Sequence, residues 1–208
     1  MNSKPTHEFN LLLENLISFD LDSGNDEIYD IPGLSSSISS TLSSAPTDFV
    51  IFSQNVHKSN TSTHSILSIA STMCPPADII LIQEPSFGKI GTNPQMAQGN
   101  PIYDIYGCPK HPDWQTILPP CTSADKPPDV ITYVPTRRTN WMFQLRSDLV
   151  SSPHLLCLEI NSTSPPFLVF NVYNDVDNSA VALMHSLTSL LPRTLFIGDF
   201  NLHHPIWS

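Results

Sequence analysis

Short runs of apolar residues, separated by polar turns, dominate the chain from residue 48 onward. Ile79–Ile82 is the clearest example, because four consecutive aliphatic residues are too few and too uniformly apolar for a surface helix. Runs of this kind are typical of strands buried on both faces. The pattern predicts seven strands, at Phe49–Phe52, Ile79–Ile82, Trp114–Leu118, Val130–Val134, Leu155–Ile160, Phe167–Tyr173 and Leu195–Ile197.

Two segments between these strands repeat their apolar residues at the spacing of an amphipathic helix. They are Ser62–Met73 and Asn178–Leu191. Residues 85–112 hold many Gly, Pro and Asn residues, which predicts a long irregular loop. Alternation of apolar strands with helices is typical of the α/β class, so we expect sheets that are covered by helices.

The first 47 residues have a different composition. Apolar residues recur at helical spacing within Glu8–Phe19, which predicts one short amphipathic helix. Acidic residues follow, and Ser35–Ser44 is mostly serine, a composition that buries little surface. We therefore expect residues 1–47 to be an acidic, Ser-rich and mostly disordered tail, and residues 48–208 to form the folded domain. The helix belongs either to a frayed tail or to a docking site for a partner.

Composition narrows the function classes. The chain has 9 basic and 19 acidic residues, so it lacks the basic stripe of a protein that binds nucleic acid through bulk charge. An acidic balance remains compatible with a metal-dependent phosphodiesterase, because a bound cation reverses the local field. No apolar leader or membrane-length apolar run is present. We expect an intracellular protein, nuclear or cytoplasmic, that is not secreted and has no membrane partner.

Polar residues follow four of the predicted strands at the point where each strand ends. They include Asn55, Glu84, Tyr173 and Asp199. If these ends lie side by side, as α/β sheets place ligand sites, the residues form one acidic pocket. Such a pocket suits Mg²⁺, which prefers carboxylate oxygen, and suits hydrolysis of a phosphodiester. Each residue alone also fits a purely structural role, such as a solvated turn, the more common role for a lone Glu-Pro, for Glu84 or a core aromatic for Tyr173.

The order of these segments resembles the endonuclease/exonuclease/phosphatase superfamily. More narrowly, the chain is similar over about residues 48–208 to the endonuclease domain at the N-terminus of fungal non-LTR retrotransposon polyproteins. Four segments carry the resemblance: Gln54-Asn55, Leu81–Pro85, Asn171–Asp175, and Gly198–Trp207 with its His-His-Pro-x-Trp ending.

The resemblance implies a four-layer α/β sandwich and a DNA endonuclease that depends on Mg²⁺ or Mn²⁺. By matching position, Asn55 and Glu84 would hold the metal, and Tyr173 would contact the phosphate. Asp199 would align the nucleophilic water, with Asn201 beside it as a further catalytic residue. The implied partners are DNA and, in a longer parent protein, a downstream reverse transcriptase domain. Candidate accessory residues are His203, His204 and Asn174.

Two departures from the family pattern stand out. His57 lies where the abasic-site branch commonly has an acidic residue, two positions after Asn55. The family domain also continues to an Asp-His element that supplies a catalytic histidine, whereas this sequence stops at Ser208. We therefore expect an incomplete, C-terminally truncated sandwich. No substitute histidine is evident, because His185 lies within a predicted helix and His154 precedes a strand.

Because the catalytic histidine is missing, we expect this chain alone to be inactive, even as part of an endonuclease. Two alternatives to an endonuclease also remain open. The chain is either a remnant or binding module that lacks the catalytic histidine and is inactive alone, or a phosphatase of the same superfamily that acts on small phosphate esters.

Overall fold

The structure is a computed structural model that describes residues 16–20, 48–92, 104–137, 139–161, 166–187 and 193–201. Within these ranges neither helix is long and apolar enough to cross a membrane. The strands are β1 (Leu16–Asp20), β2 (Asp48–Asn55), β3 (Ile79–Gln83), β4 (Gly88–Thr92), β5 (Asp104–Gly107), β6 (Trp114–Ile117), β7 (Val130–Pro135), β8 (Met142–Leu145), β9 (Leu155–Asn161), β10 (Phe167–Tyr173) and β11 (Thr194–Asp199), and the helices are α1 (Asn60–Thr72) and α2 (Ser179–Leu187).

Each of the two main sheets contains one parallel pair of strands with a helix between them in the chain. The first sheet has the order β1-β2-β3-β7-β6, in which β2 and β3 are parallel. The second has the order β11-β10-β9-β8, in which β10 and β11 are parallel. The other neighbours are antiparallel. At one end of the first sheet, the carboxyl ends of β2 and β3 therefore lie beside the amino end of β7. At one end of the second sheet, the carboxyl ends of β10 and β11 lie beside the amino end of β9.

Three apolar clusters hold these elements together. The largest lies between the two sheets, where Phe49 meets the rings of Trp141 and Phe167 edge-on at centroid distances of 4.8 and 5.4 Å. A second cluster packs α1 on the other face of the first sheet through Ile66, and a third packs α2 on the second sheet through Ala180. Burial of this apolar surface is the main favourable term in folding.

A pair of buried amides crosses from one sheet to the other. Asn171 on β10 is fully buried, and its Nδ2 donates to the carbonyl oxygens of Ile82 at 3.1 Å and Ile131 at 2.7 Å. Its Oδ1 accepts from Gln83 Nε2 at 2.6 Å, and Gln83 also donates to Ser53 Oγ at 3.3 Å. Buried polar groups are costly when unpaired. This network therefore favours one position of β10, in the second sheet, over β3 and β7, in the first sheet.

The seven predicted strands and both predicted helices are confirmed as elements. The irregular loop expected over residues 85–112 is wrong in part, because it contains β4 and β5, which pair as a separate two-stranded ribbon. Strand β8 was not predicted either. These strands are only four or five residues long, and their partly exposed patterns carry a weak hydrophobic signal.

The helix expected over Glu8–Phe19 is wrong where the structure describes this segment. Leu16–Asp20 forms β1, which pairs antiparallel with β2 from Leu16 opposite Phe52 to Asp20 opposite Asp48. A short isolated helix is marginal in water, whereas the edge of β2 offers a ready ladder of backbone groups. The rest of residues 1–47 lies outside the described residues, so the disordered tail stays a prediction.

The amide network makes Asn171→Ala a strongly destabilising substitution. It leaves the buried carbonyl oxygens of Ile82 and Ile131 and the amide of Gln83 without this partner. We expect the free energy of unfolding to fall by about 3 kcal/mol. Urea titration followed by circular dichroism measures this change. The matched control is Asn140→Ala at an exposed position, and equal effects of the two substitutions would contradict the role of the network.

Candidate functional site

One amide joins two carboxylates from different sheets. Asn55 lies at the end of β2, Glu84 directly follows β3, and Asp199 ends β11. Asn55 Nδ2 donates to Glu84 Oε1 and to Asp199 Oδ2, each at 2.8 Å. The structure thus brings together three of the residues expected at the site, although Asn55 and Asp199 are 144 positions apart.

Backbone contacts fix the orientation of this cluster. The His57 N–H donates to Asn55 Oδ1 at 2.9 Å, which leaves Nδ2 facing the carboxylates. Glu84 adopts a left-handed backbone conformation with φ of 46°. Its N–H donates to the Asp129 carbonyl at 2.9 Å, and its carbonyl accepts from the Lys58 N–H at 2.7 Å. Such a conformation is uncommon for a residue with a side chain. Here the hydrogen bonds of the Glu84 N–H and of the Glu84 carbonyl maintain it.

The imidazole of His57 also approaches Glu84. Its Nδ1 lies 3.4 Å from Glu84 Oε1, but 80% of the His57 side chain is exposed. An exposed pair of this kind is screened by solvent and contributes little. His57 therefore places a largely exposed imidazole beside Glu84.

A hydrogen-bonded turn after β11 holds Asp199. The Asn201 N–H donates to Asp199 Oδ1 at 3.0 Å, and Asn201 Nδ2 donates to the Asn174 carbonyl at 2.7 Å. Asn174 is fully buried; its N–H donates to the Asp199 carbonyl at 2.8 Å and its Nδ2 to the Phe200 carbonyl at 2.9 Å. The structure thus places Asn174 as a support of this turn and Asn201 beside the Asp199 carboxylate.

Gly198 permits the close approach of β11 to β10 just before Asp199. Its φ is 146°, a conformation that residues with side chains rarely adopt, and a Cβ here would overlap the Val172 carbonyl. Glycine is the residue that tolerates both constraints. The Gly-Asp sequence therefore brings the carboxylate to the strand end without displacing the neighbouring strand.

Tyr173 ends β10 beside Glu84. Partial burial raises the pKa of the Tyr173 hydroxyl. The charge of Glu84 and the hydrogen bond to its carboxylate raise this pKa further, with smaller effects from Asp129 and Asp199. The phenol therefore keeps its proton at neutral pH and remains a hydrogen-bond donor.

Three residues to which the sequence analysis gave no catalytic or metal role lie at the same edge. Asp129 precedes β7, His154 precedes β9, and Asp175 follows β10. His154 Nδ1 lies 2.9 Å from Asp129 Oδ2, and His154 Nε2 lies 3.5 Å from Asp175 Oδ2. Asp175 also caps α2, accepting from the Ser179 N–H at 2.8 Å. That hydrogen bond is the largest influence lowering the pKa of Asp175, and His154 lowers it further. The sequence contained an indication of these residues, because the amino end of an antiparallel strand lies beside the carboxyl end of its neighbour.

The donor set fits a partly hydrated hard cation. Among the described residues, no group of three or more His, Cys, Asp or Glu side chains is arranged to enclose a metal. Mg²⁺ commonly uses only one or two carboxylates and keeps several waters, and Glu84, with the Asn55 amide beside it, offers that chemistry. His203 and His204 lie outside the described residues, so their accessory role stays a prediction.

Comparisons with known proteins find a distant structural relationship. No protein-family model matches the sequence, and no curated protein matches it. Among solved structures, the chain is similar to the "Endonuclease domain of TRAS1, a telomere-specific non-LTR retrotransposon", with 15% sequence identity and a TM-score of 0.53. The similarity covers 76% of this chain and 63% of that chain, so this chain spans less than two thirds of the related structure. Its mixed α/β fold is thus consistent with that of an α/β nuclease.

Proposed function

We propose that this chain is a metal-dependent phosphodiesterase domain that cleaves DNA. One observation carries the proposal: Asn55 joins the carboxylates of Glu84 and Asp199 where strand ends of two sheets meet. Two carboxylates held this close repel each other unless a donor or a cation lies between them. The amide supplies part of that compensation, and a divalent cation supplies the rest.

Glu84 is the proposed carboxylate ligand of Mg²⁺ or Mn²⁺, and Asn55 holds it in place. A bound ion neutralises the phosphoryl oxygens and stabilises the leaving oxygen. The left-handed turn at Glu84 and the His57 N–H on Asn55 fix both side chains before any ligand arrives. A pre-oriented site avoids the cost of ordering these groups during the reaction.

Asp199 is the proposed acceptor of a proton from the attacking water. The Asn201 N–H and the Asn55 amide each donate to one of its oxygens, which orients the carboxylate. In the proposed reaction, the water oxygen bonds to phosphorus as its proton passes to the Asp199 carboxylate. The P–O bond to the leaving sugar oxygen breaks, and that oxygen takes a proton from solvent. Asn201 acts here through Asp199.

Tyr173 is the proposed donor to a phosphoryl oxygen. Its raised pKa keeps the hydroxyl protonated, and it lies close to Glu84, the proposed metal ligand. A fixed donor that faces developing negative charge stabilises the transition state more than the ground state.

The similarity to the endonuclease domain of TRAS1 supports a nucleic acid as the substrate, and we propose that this nucleic acid is DNA. We also propose that the chain has the four-layer sandwich of the endonuclease/exonuclease/phosphatase type. The packing of α1 on the first sheet and of α2 on the second, with an apolar cluster between the sheets, supports this arrangement.

Removal of either carboxylate charge tests the catalytic pocket. Nicking of supercoiled plasmid by the full chain with Mg²⁺ is expected to depend on this pocket, so Glu84→Gln or Asp199→Asn should slow it by roughly 100-fold or more. Agarose gels of the relaxed form measure the rate. Asp125→Asn, at an exposed loop position, is the matched control and should retain the wild-type rate.

Two outcomes would contradict this assignment. Nicking that persists in both pocket variants would place the activity elsewhere. A wild-type chain that binds Mn²⁺ in calorimetry but never nicks would instead favour the non-catalytic binding module.

Loss of the phenol tests the role of Tyr173. We expect Tyr173→Phe to lower kcat by about 100-fold while KM changes far less, because the hydroxyl serves the transition state. Initial nicking rates over a range of plasmid concentrations separate the two constants. Tyr106→Phe, on an exposed tyrosine, controls for the substitution. A rise in KM with kcat unchanged would show that Tyr173 only binds substrate.

A further inference from the structure

Two consecutive residues with long side chains adopt a left-handed backbone conformation beside the proposed site. His57 has a φ of 47° and Lys58 a φ of 60°, in the turn between Asn55 at the end of β2 and the start of α1. This conformation crowds the Cβ of an L-residue, whereas glycine adopts it without that cost. The chain nevertheless has side chains at both positions, and both residues are exposed. A side chain that is kept where the backbone favours glycine points to a functional role for it.

Hydrogen bonds within the chain keep this turn in one conformation. The Lys58 N–H donates to the Glu84 carbonyl at 2.7 Å. The Ser59 N–H donates to the Val56 carbonyl at 2.9 Å, and Ser59 Oγ accepts from the Ser62 N–H at 3.1 Å, which caps α1. With these backbone donors used inside the chain, the turn presents its side chains to a ligand.

The ammonium group of Lys58 lies close to the acidic pocket without pairing there. Among the described residues, the Lys58 side chain makes no ion pair and no hydrogen bond. Its charge still acts on the pocket: burial raises the pKa of Asp129, and the charge of Lys58 is one of the influences that oppose this rise. A lysine is a compact charge on a flexible stem, so an amine that pairs with no neighbouring carboxylate is available to an anion from outside.

The charge balance of the chain makes such a cation important for a polyanionic substrate. With 9 basic and 19 acidic residues and a formal net charge of −10, the protein as a whole repels a nucleic-acid strand. Contacts from lysine and arginine to phosphates supply much of the affinity for nucleic acid and position the strand. A basic side chain that is held beside the pocket is therefore suited to a phosphate of the bound strand.

We propose that Lys58 binds the phosphate next to the cleaved one in a nucleic-acid strand. Its backbone is hydrogen-bonded to that of Glu84, so the two side chains serve neighbouring points on the strand. Lys58 thereby holds the strand along the turn before α1, while Glu84, Asp199 and Tyr173 serve the cleaved phosphate. The place of this contact relative to the cleaved bond rests on the proposed function, whereas the contact itself does not require cleavage.

Removal of the charge by Lys58→Gln tests the contact. Fluorescence anisotropy of the full chain with a labelled DNA duplex measures binding, with Ca²⁺ in place of Mg²⁺ and gels to confirm that the duplex stays intact. We expect Kd to rise about 10-fold at low salt. The slope of log affinity against log salt concentration should become shallower by about one, and the loss should be equal on duplexes of different sequence. Lys58→Arg keeps the charge and should keep the wild-type affinity and slope.

Two further variants separate the contact from bulk charge and from stability. Lys110→Gln removes the same charge from an exposed position that precedes β6, whose first residue pairs with Pro135 at the end of β7 remote from Asp129. This matched control should keep the wild-type affinity. Lys58→Gly suits the left-handed backbone, so we expect its Tm not to fall, although it should lose as much affinity for the duplex as Lys58→Gln does.

The outcomes distinguish this inference from the proposed function. Equal losses of affinity in Lys58→Gln and Lys110→Gln would overturn the inference, as would a wild type without measurable affinity for the duplex. If the wild type never nicks with Mg²⁺ but Lys58→Gln weakens binding as expected, the proposed function fails while the contact stands. If the wild type nicks through Glu84 and Asp199 and Lys58→Gln binds the duplex as tightly as the wild type, the proposed function stands and the contact is wrong.

Discussion

The buried amides of Asn171 and Gln83 are the constraint on which the arrangement of the site depends. An apolar interface between two sheets tolerates small shifts, because the hydrophobic effect has no direction. The Asn171 amide, in contrast, is satisfied only when it faces the carbonyls of Ile82 and Ile131 and the Gln83 side chain together. An unpaired buried amide is costly. The polar network therefore determines how one sheet is positioned over the other, which the apolar contacts do not determine.

The position of one sheet over the other determines which side chains meet at the site. Gln83 immediately precedes Glu84, and Asn171 lies two residues before Tyr173, so the link lies directly beneath the site. At the sheet edge, Asn55 then reaches both Glu84 and Asp199, and His154 reaches Asp129 across the same gap. Three polar connections between the sheets, one inside and two at the edge, thus pre-orient a group of acidic side chains whose mutual repulsion would otherwise separate them.

Most strands and the main site residues followed from the sequence, because apolar runs mark buried strands and polar residues follow them. The hydrogen bonds of Asn55 could not be predicted, since they join residues far apart in the chain. Asp129 and His154 precede antiparallel strands. The pattern of polar residues that follow strands therefore did not indicate them. Strand β1 was missed because the apolar spacing of its segment also fits a helix, and pairing with β2 decided between the two.

The central claim is that strand ends from both sheets form one pocket that holds a single divalent cation. Crystals of the full chain grown with Mn²⁺, with diffraction data collected at the manganese absorption edge, test it most directly. The account predicts one anomalous peak in contact with the Glu84 carboxylate, in the pocket bounded by Asn55 and Asp199. A peak remote from Glu84 would contradict it.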